Sequence, residues 1–192
     1  MDKLYKPLLL RLVKEGMAQH FPAFQPVKAS RTQAKADVFA GAQMYCYPAG
    51  DDHTTWVTWQ PGQGVERRFS VLVGWSPSQE ILPAHTGHDR RVYSLRGPSH
   101  EFPACSLLLE QVLGHSAMGG FKIPTPWDQL YKLKPTAPQA EQRRVMQIAA
   151  AEAAALSVED RLAAVRSVTD EVFSYLLPVV PSFLAPAKPS DA

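Results

Sequence analysis

Thr54-Thr55-Trp56-Val57-Thr58-Trp59-Gln60 and Glu66-Arg67-Arg68-Phe69-Ser70-Val71-Leu72-Val73-Gly74-Trp75-Ser76 are joined by the turn-forming run Pro61-Gly62-Gln63-Gly64-Val65. In the second run Phe69, Val71, Val73 and Trp75 alternate with Arg68, Ser70 and Gly74, broken only by Leu72. Period two places those large side chains on one face of a pleated strand. A face so apolar needs a cover of helices from elsewhere in the chain. The opposite face, to which we assign Val57, Trp59 and Arg68, is the expected functional surface. These runs identify a fold element and not an activity.

Cover is available on both sides of the ribbon. Over residues 3 to 20, Leu4, Leu8 and Leu12, with Tyr5 and Leu9, recur at spacings of three and four between Lys3, Lys6, Arg11, Lys14 and Glu15. That spacing predicts an amphipathic helix with Pro7 in its first turn. A polar connection then leads to a strand over Ala36 to Tyr47, both faces apolar, and a turn at Pro48-Ala49-Gly50-Asp51-Asp52. Three successive strands make an antiparallel meander. Arg90 to Arg96 adds a charged edge strand.

Ala104 to Leu113 is read as a helix ended by Gly114, with a strand as the competing reading. Phe121 to Pro138 holds Pro124, Pro126, Pro135 and Pro138 and is expected to be irregular apart from a helical turn at Trp127 to Leu133. All eleven glycines and all six histidines precede residue 121, and an alanine-rich stretch follows. Residues 139 to 156 are strong helix formers. Ser157-Val158-Glu159-Asp160 reads as a capping box that starts a second helix, with Leu162, Val165, Val168, Thr169, Val172, Phe173 and Leu176 as its apolar stripe and Pro178 as its stop. The expected architecture is α+β: an antiparallel meander sheet of three to five strands covered by helices, with a C-terminal helical hairpin. It divides into residues 1–135, the hairpin 136–178, and a Pro-rich tail 179–192.

Composition narrows the classes without naming a partner. The 20 basic and 18 acidic residues leave a net charge of +2, too near balance for the field that nucleic-acid binders use. The N-terminal apolar run is short, interrupted by Arg11 and Lys14, and lacks a small-residue cleavage site, so the chain is expected to be soluble and cytoplasmic, without membrane association. Cys46 and Cys105 sit in apolar surroundings without CxxC spacing and read as buried thiols.

The motifs that carry chemistry are incomplete. Gly114-His115-Ser116-Ala117-Met118 approaches a nucleophile elbow, but Met118 stands where the second glycine belongs and no histidine follows Ser116. His85, His88 and Asp89 offer metal-ligand chemistry within five residues, yet without a specific spacing. The adjacent carboxylates at Asp51-Asp52, Glu159-Asp160 and Asp170-Glu171 read as solvated pairs. Gly62-Gln63-Gly64 joins strands and has no following helix to hold a phosphate. No catalytic residue and no cofactor are assigned. Trp59, Arg67, Arg68, Arg90, Arg91 and Trp127 are the candidate partner-binding residues, and the Pro-rich aromatic segment Phe121 to Tyr131 and the C-terminal helical pair are read as suited to protein contact.

Between residues 5 and 83 the order of a helix ending His20-Phe21-Pro22, a polar link and three strands, followed by Ile81-Leu82-Pro83, resembles that of certain uncharacterised bacterial α+β proteins. Proteins of that layout sometimes accompany toxin and immunity genes, which implies a binding role and carries over no functional residue. The leading expectation is therefore a non-enzymatic bacterial interaction protein, such as an immunity protein or an accessory subunit of a defence or secretion system, with another protein as partner. The alternative is a small hydrolase using Ser116 or a His85/His88 metal site. A nucleic-acid module comes third.

Overall fold

A computed structural model describes residues 3–28, 41–50, 53–62, 67–77, 105–114 and 120–184. Its centre is the meander: β2 (Gln43–Gly50), β3 (His53–Pro61) and β4 (Arg68–Ser76), each antiparallel to the next. β1 (Gln25–Val27) lies outside β2 and β5 (Cys105–Leu108) outside β4, which makes five strands in the order β1-β2-β3-β4-β5. A two-residue β6 (Phe121–Lys122) also pairs with β4. The class is α+β, as expected.

Register decides the two faces. Val57 stands opposite Val73, Trp59 opposite Val71 and Pro61 opposite Phe69. Residues directly opposite in an antiparallel pair project to the same side. Val57 and Trp59 therefore share the face of Phe69, Val71 and Val73, which corrects their assignment to the functional side; Arg68 does lie on the other face. The second face carries Met44, Cys46 and Trp56, all buried with Val27 against them, and Trp56 Nε1–H donates to Ser76 Oγ at 2.7 Å.

α1 (Lys6–His20) and α4 (Val158–Leu184) cover the Trp59 face. Pro7 sits in the first turn of α1, where a missing N–H costs nothing. The face of α1 turned inward is Leu9, Leu12, Val13 and Met17, with Tyr5 just before the helix, whereas Leu4 is 56% exposed. The inward stripe thus begins one residue later than the Leu4-Leu8-Leu12 spacing predicts. Gln43 Nε2 donates to the Leu10 carbonyl at 3.0 Å and ties α1 to β2.

The start of α4 is the expected capping box. Asp160 N–H donates to Ser157 Oγ at 3.0 Å, and Asp160 Oδ2 accepts the Ser157 N–H at 2.9 Å. Val165, Val168, Thr169, Val172, Phe173 and Leu176 are buried as the periodicity requires. The expected stop at Pro178 does not occur: the helix continues through Pro178 and Pro181 to Leu184, so 179–184 is helical and not an extended tail. Val180 at 0% and Phe183 at 4% exposure give the reason, since the core holds the helix on past its prolines.

α3 (Gln139–Ala155) lies against a 3-10 helix at Pro126–Lys132, with Gln129 Nε2 donating to Glu152 Oε2 at 2.6 Å. The segment read as a helix over Ala104 to Leu113 divides instead. Cys105–Leu108 is strand and only Leu109–Val112, α2, is helical, because β4 has an open edge to pair. The expected turn at Pro48-Ala49-Gly50 is likewise the end of β2, with a register irregularity between Pro48 and Gly50. The edge strand expected at Arg90 to Arg96 lies outside the described residues. So does 36–40 of the expected second strand.

Candidate functional site

Two of the sequence-derived partner residues come together at the end of β4. Arg67 immediately precedes the strand, and its carbonyl accepts the Ile123 N–H at 2.9 Å, which draws the segment after β6 alongside. Three residues on, Thr125-Pro126-Trp127-Asp128 starts the 3-10 helix. Asp128 Oδ2 accepts the Thr125 N–H at 3.1 Å, so a side chain closes the first turn. That turn sets the Trp127 ring beneath the Arg67 guanidinium, with 5.8 Å from Cζ to the ring centroid. At this distance the cation meets the negative face of the indole, an interaction worth about 0.5–1 kcal/mol at a partly exposed site.

Lys122 and Asp128 extend the same surface. Lys122 Nζ lies 2.7 Å from Asp128 Oδ1, with the side chains 34% and 28% exposed. Arg68 stands opposite Lys122 in the β4/β6 pair. Arg67, Arg68, Lys122, Trp127 and Asp128 are all half-buried, and they are linked in pairs: Arg67 on Trp127, Lys122 with Asp128, and Arg68 opposite Lys122. Such residues are suited to recognition by charge and planar stacking. The sequence signal for Asp128 was the Thr125-x-x-Asp128 spacing of a helix start; Lys122 had no signal before the β4/β6 pairing was known.

Gly120 makes this approach possible. Its φ of +80° and the Phe69 carbonyl only 2.6 Å from where a Cβ would stand leave space for glycine alone. Phe121 then stacks on Phe69 at 5.8 Å between centroids, and on its other side lies Tyr175 at 6.4 Å. The Tyr175 hydroxyl donates to Glu171 Oε1 at 2.9 Å, and that bond to a carboxylate raises the phenol above its ordinary range.

Trp59 is placed elsewhere. It is fully buried at the middle of an aromatic row, with Phe69 at 5.7 Å and Phe173 at 5.1 Å. It is a core residue. Arg90, Arg91, His85, His88, Asp89 and Ser116 lie outside the described residues, as does Asp51-Asp52. Among the described residues no three His, Cys, Asp or Glu side chains gather in a manner that could hold a metal ion. Burial raises the Cys46 thiol above its usual range, which keeps the less nucleophilic protonated form at neutral pH.

One buried polar group was not anticipated. His53, read as part of a polar turn, is 4% exposed, and its Nε2 lies against the Phe183 carbonyl, which also accepts the Thr55 hydroxyl at 2.7 Å. Only the course of α4 beyond Pro178 brings these residues together.

No helix among the described residues is long and apolar enough to cross a membrane. Comparison of the chain with protein families, with curated proteins and with solved structures finds no match.

Proposed function

We propose that this chain is a non-enzymatic protein-interaction protein that engages its partner through α3 and the adjoining Arg67–Trp127 surface. The carrying observation is the poverty of α3's own packing. Over Gln139–Ala155 only Ala149 is buried, and Met146 and Ile148 are 50% and 40% exposed. Helices in globular proteins draw most of their stability from burying an apolar face. α3 fully buries one alanine and half-buries Val145 and Ala153, so its strong local propensity maintains a helix whose exposed face, with Met146 and Ile148, is open to another surface.

The neighbouring chemistry supports the same reading. Arginine and tryptophan contribute large contact energies for little conformational loss when they are held in place beforehand. Arg67 and Trp127 are so held, one on the other. The finer assignment, to an immunity protein or an accessory subunit of a bacterial defence or secretion system, rests on the layout of residues 5 to 83.

Affinity capture from the native host, run in parallel with intact chain and with a Met146→Glu/Ile148→Glu double variant, tests the proposal. A reproducible protein partner is expected with the intact chain. It is lost with the double variant, whose melting temperature stays within about 2 °C because exposed positions contribute little stability. Capture that survives the double substitution, or no reproducible partner at all, overturns it.

A further inference from the structure

The two prolines of α4 divide it in a way that its burial pattern does not. Pro178 has no N–H to donate toward Ser174, and Pro181 none toward Leu177, so the last turns lack ladder bonds that the rest of the helix has. The end of the helix is held from the side instead. Val180 and Phe183 are in the core, and the Phe183 carbonyl receives the Thr55 hydroxyl and lies against His53 Nε2. A carbonyl oxygen only accepts, so Nε2 carries the ring proton, and the buried Nδ1 has no hydrogen-bond partner among the described residues. β3 thus holds this end of the helix through two side chains on the sheet.

We propose that Pro178–Leu184 is a latch, a segment that opens as one unit about Pro178 while Val158–Leu177 remains on the sheet. Opening free energy within a native protein follows the ladder bonds and buried contacts that a segment must give up. With no donor at Pro178 or Pro181 the latch has fewer ladder bonds to give up, and Val180, Phe183 and the Phe183 carbonyl are its buried attachments, with Val179 and Leu184 half-buried beside them. Opening withdraws Val180 and Phe183 from the core. It uncovers the Thr55 hydroxyl and the His53 imidazole beside Trp75, which pairs with Thr55 across β3 and β4.

Amide hydrogen exchange on the intact chain, followed across denaturant concentration, tests the proposal. Val179, Val180, Ser182, Phe183 and Leu184 are expected to share one opening constant, at least about tenfold larger than that of Val168, Val172, Phe173 and Leu176. Thr55→Val keeps the side-chain shape and removes the donor. It should raise the latch constant about five- to tenfold and leave the upstream amides unchanged. Pro181→Ala restores a ladder donor and should lower it. A gradual residue-by-residue rise toward Leu184 is ordinary fraying and overturns the proposal, as does exchange of these amides only with global unfolding. If Thr55→Val fails to fold, the comparison within the intact chain decides by itself.

Discussion

Phe173 of α4 lies directly over Gly16 of α1: a side-chain carbon on Gly16 would overlap the edge of the phenyl ring. The same ring contacts Trp59 at 5.1 Å, His20 at 5.2 Å and Phe21 at 6.5 Å between centroids. The two covering helices approach closely at this point because one of them has no side chain there. Trp59, beneath, fills the space between helices and sheet.

Gly16→Ala should therefore destabilise the protein. In an unencumbered helix interior this change gains about 1 kcal/mol. Here the added methyl displaces a ring that is packed on several sides, and overpacking of this kind costs about 1–3 kcal/mol. Thermal melting checks the sign. A raised melting temperature would show that the helices separate freely, whereas Phe173→Leu added to Gly16→Ala should recover part of the loss.

Val73→Asp should unfold the chain. Val73 is fully buried opposite Val57, with no Lys or Arg on that face of the strand pair to receive a carboxylate. An unpaired buried charge costs several kcal/mol, a large share of a domain's usual 5–15 kcal/mol. Circular dichroism with a cooperative melt near that of the parent would contradict the face assignment.

Trp59→Ala and Trp127→Ala should separate stability from recognition. Trp59 is core, and truncating it should cost about 3–5 kcal/mol. Trp127 is half-buried at the surface and should affect partner capture far more than melting. Equal losses of stability in the two variants would remove the distinction on which the surface assignment stands.

Ser157→Ala should weaken the start of α4, by about 1 kcal/mol near neutral pH. Hydrogen bonds from the Ser157 backbone and side chain hold the Asp160 carboxyl below its ordinary range, with the Arg161 charge acting the same way. A carboxyl depressed on folding contributes its stability above the unfolded value, near ~3.9, and loses it as pH falls through the folded value. The difference in melting temperature between parent and variant should thus be full at pH 7 and shrink below about pH 4. A difference that stays constant to low pH would mean that Asp160 is not the partner.

The strands of the meander, the inward stripe of α4 and its capping box were legible because each is a local pattern. Alternation at period two, recurrence at three and four, and Ser157 three residues before Asp160 are set within one element. The face of Trp59 was not legible in the same way. Its parity within β3 was plain, but which side of the sheet that parity meets depends on the pairing of Pro61 with Phe69, a relation between two strands. The Arg67–Trp127 contact was half legible, as residue types without a meeting point; Gly120 and the β4/β6 pairing supplied the point.

By itself, the sequence determined the three strands of the meander, the helices at 6–20 and 139–155, and the start and inward stripe of α4, since backbone preference and hydrophobic period act over a few residues. Tertiary structure decided the rest. Register put Trp59 in the core, the open edge of β4 drew Cys105–Leu108 into the sheet, and burial of Val180 and Phe183 carried α4 past prolines that would end an isolated helix. Each of these is a choice between locally acceptable alternatives, and only contacts between residues distant along the chain differ enough in free energy to make it.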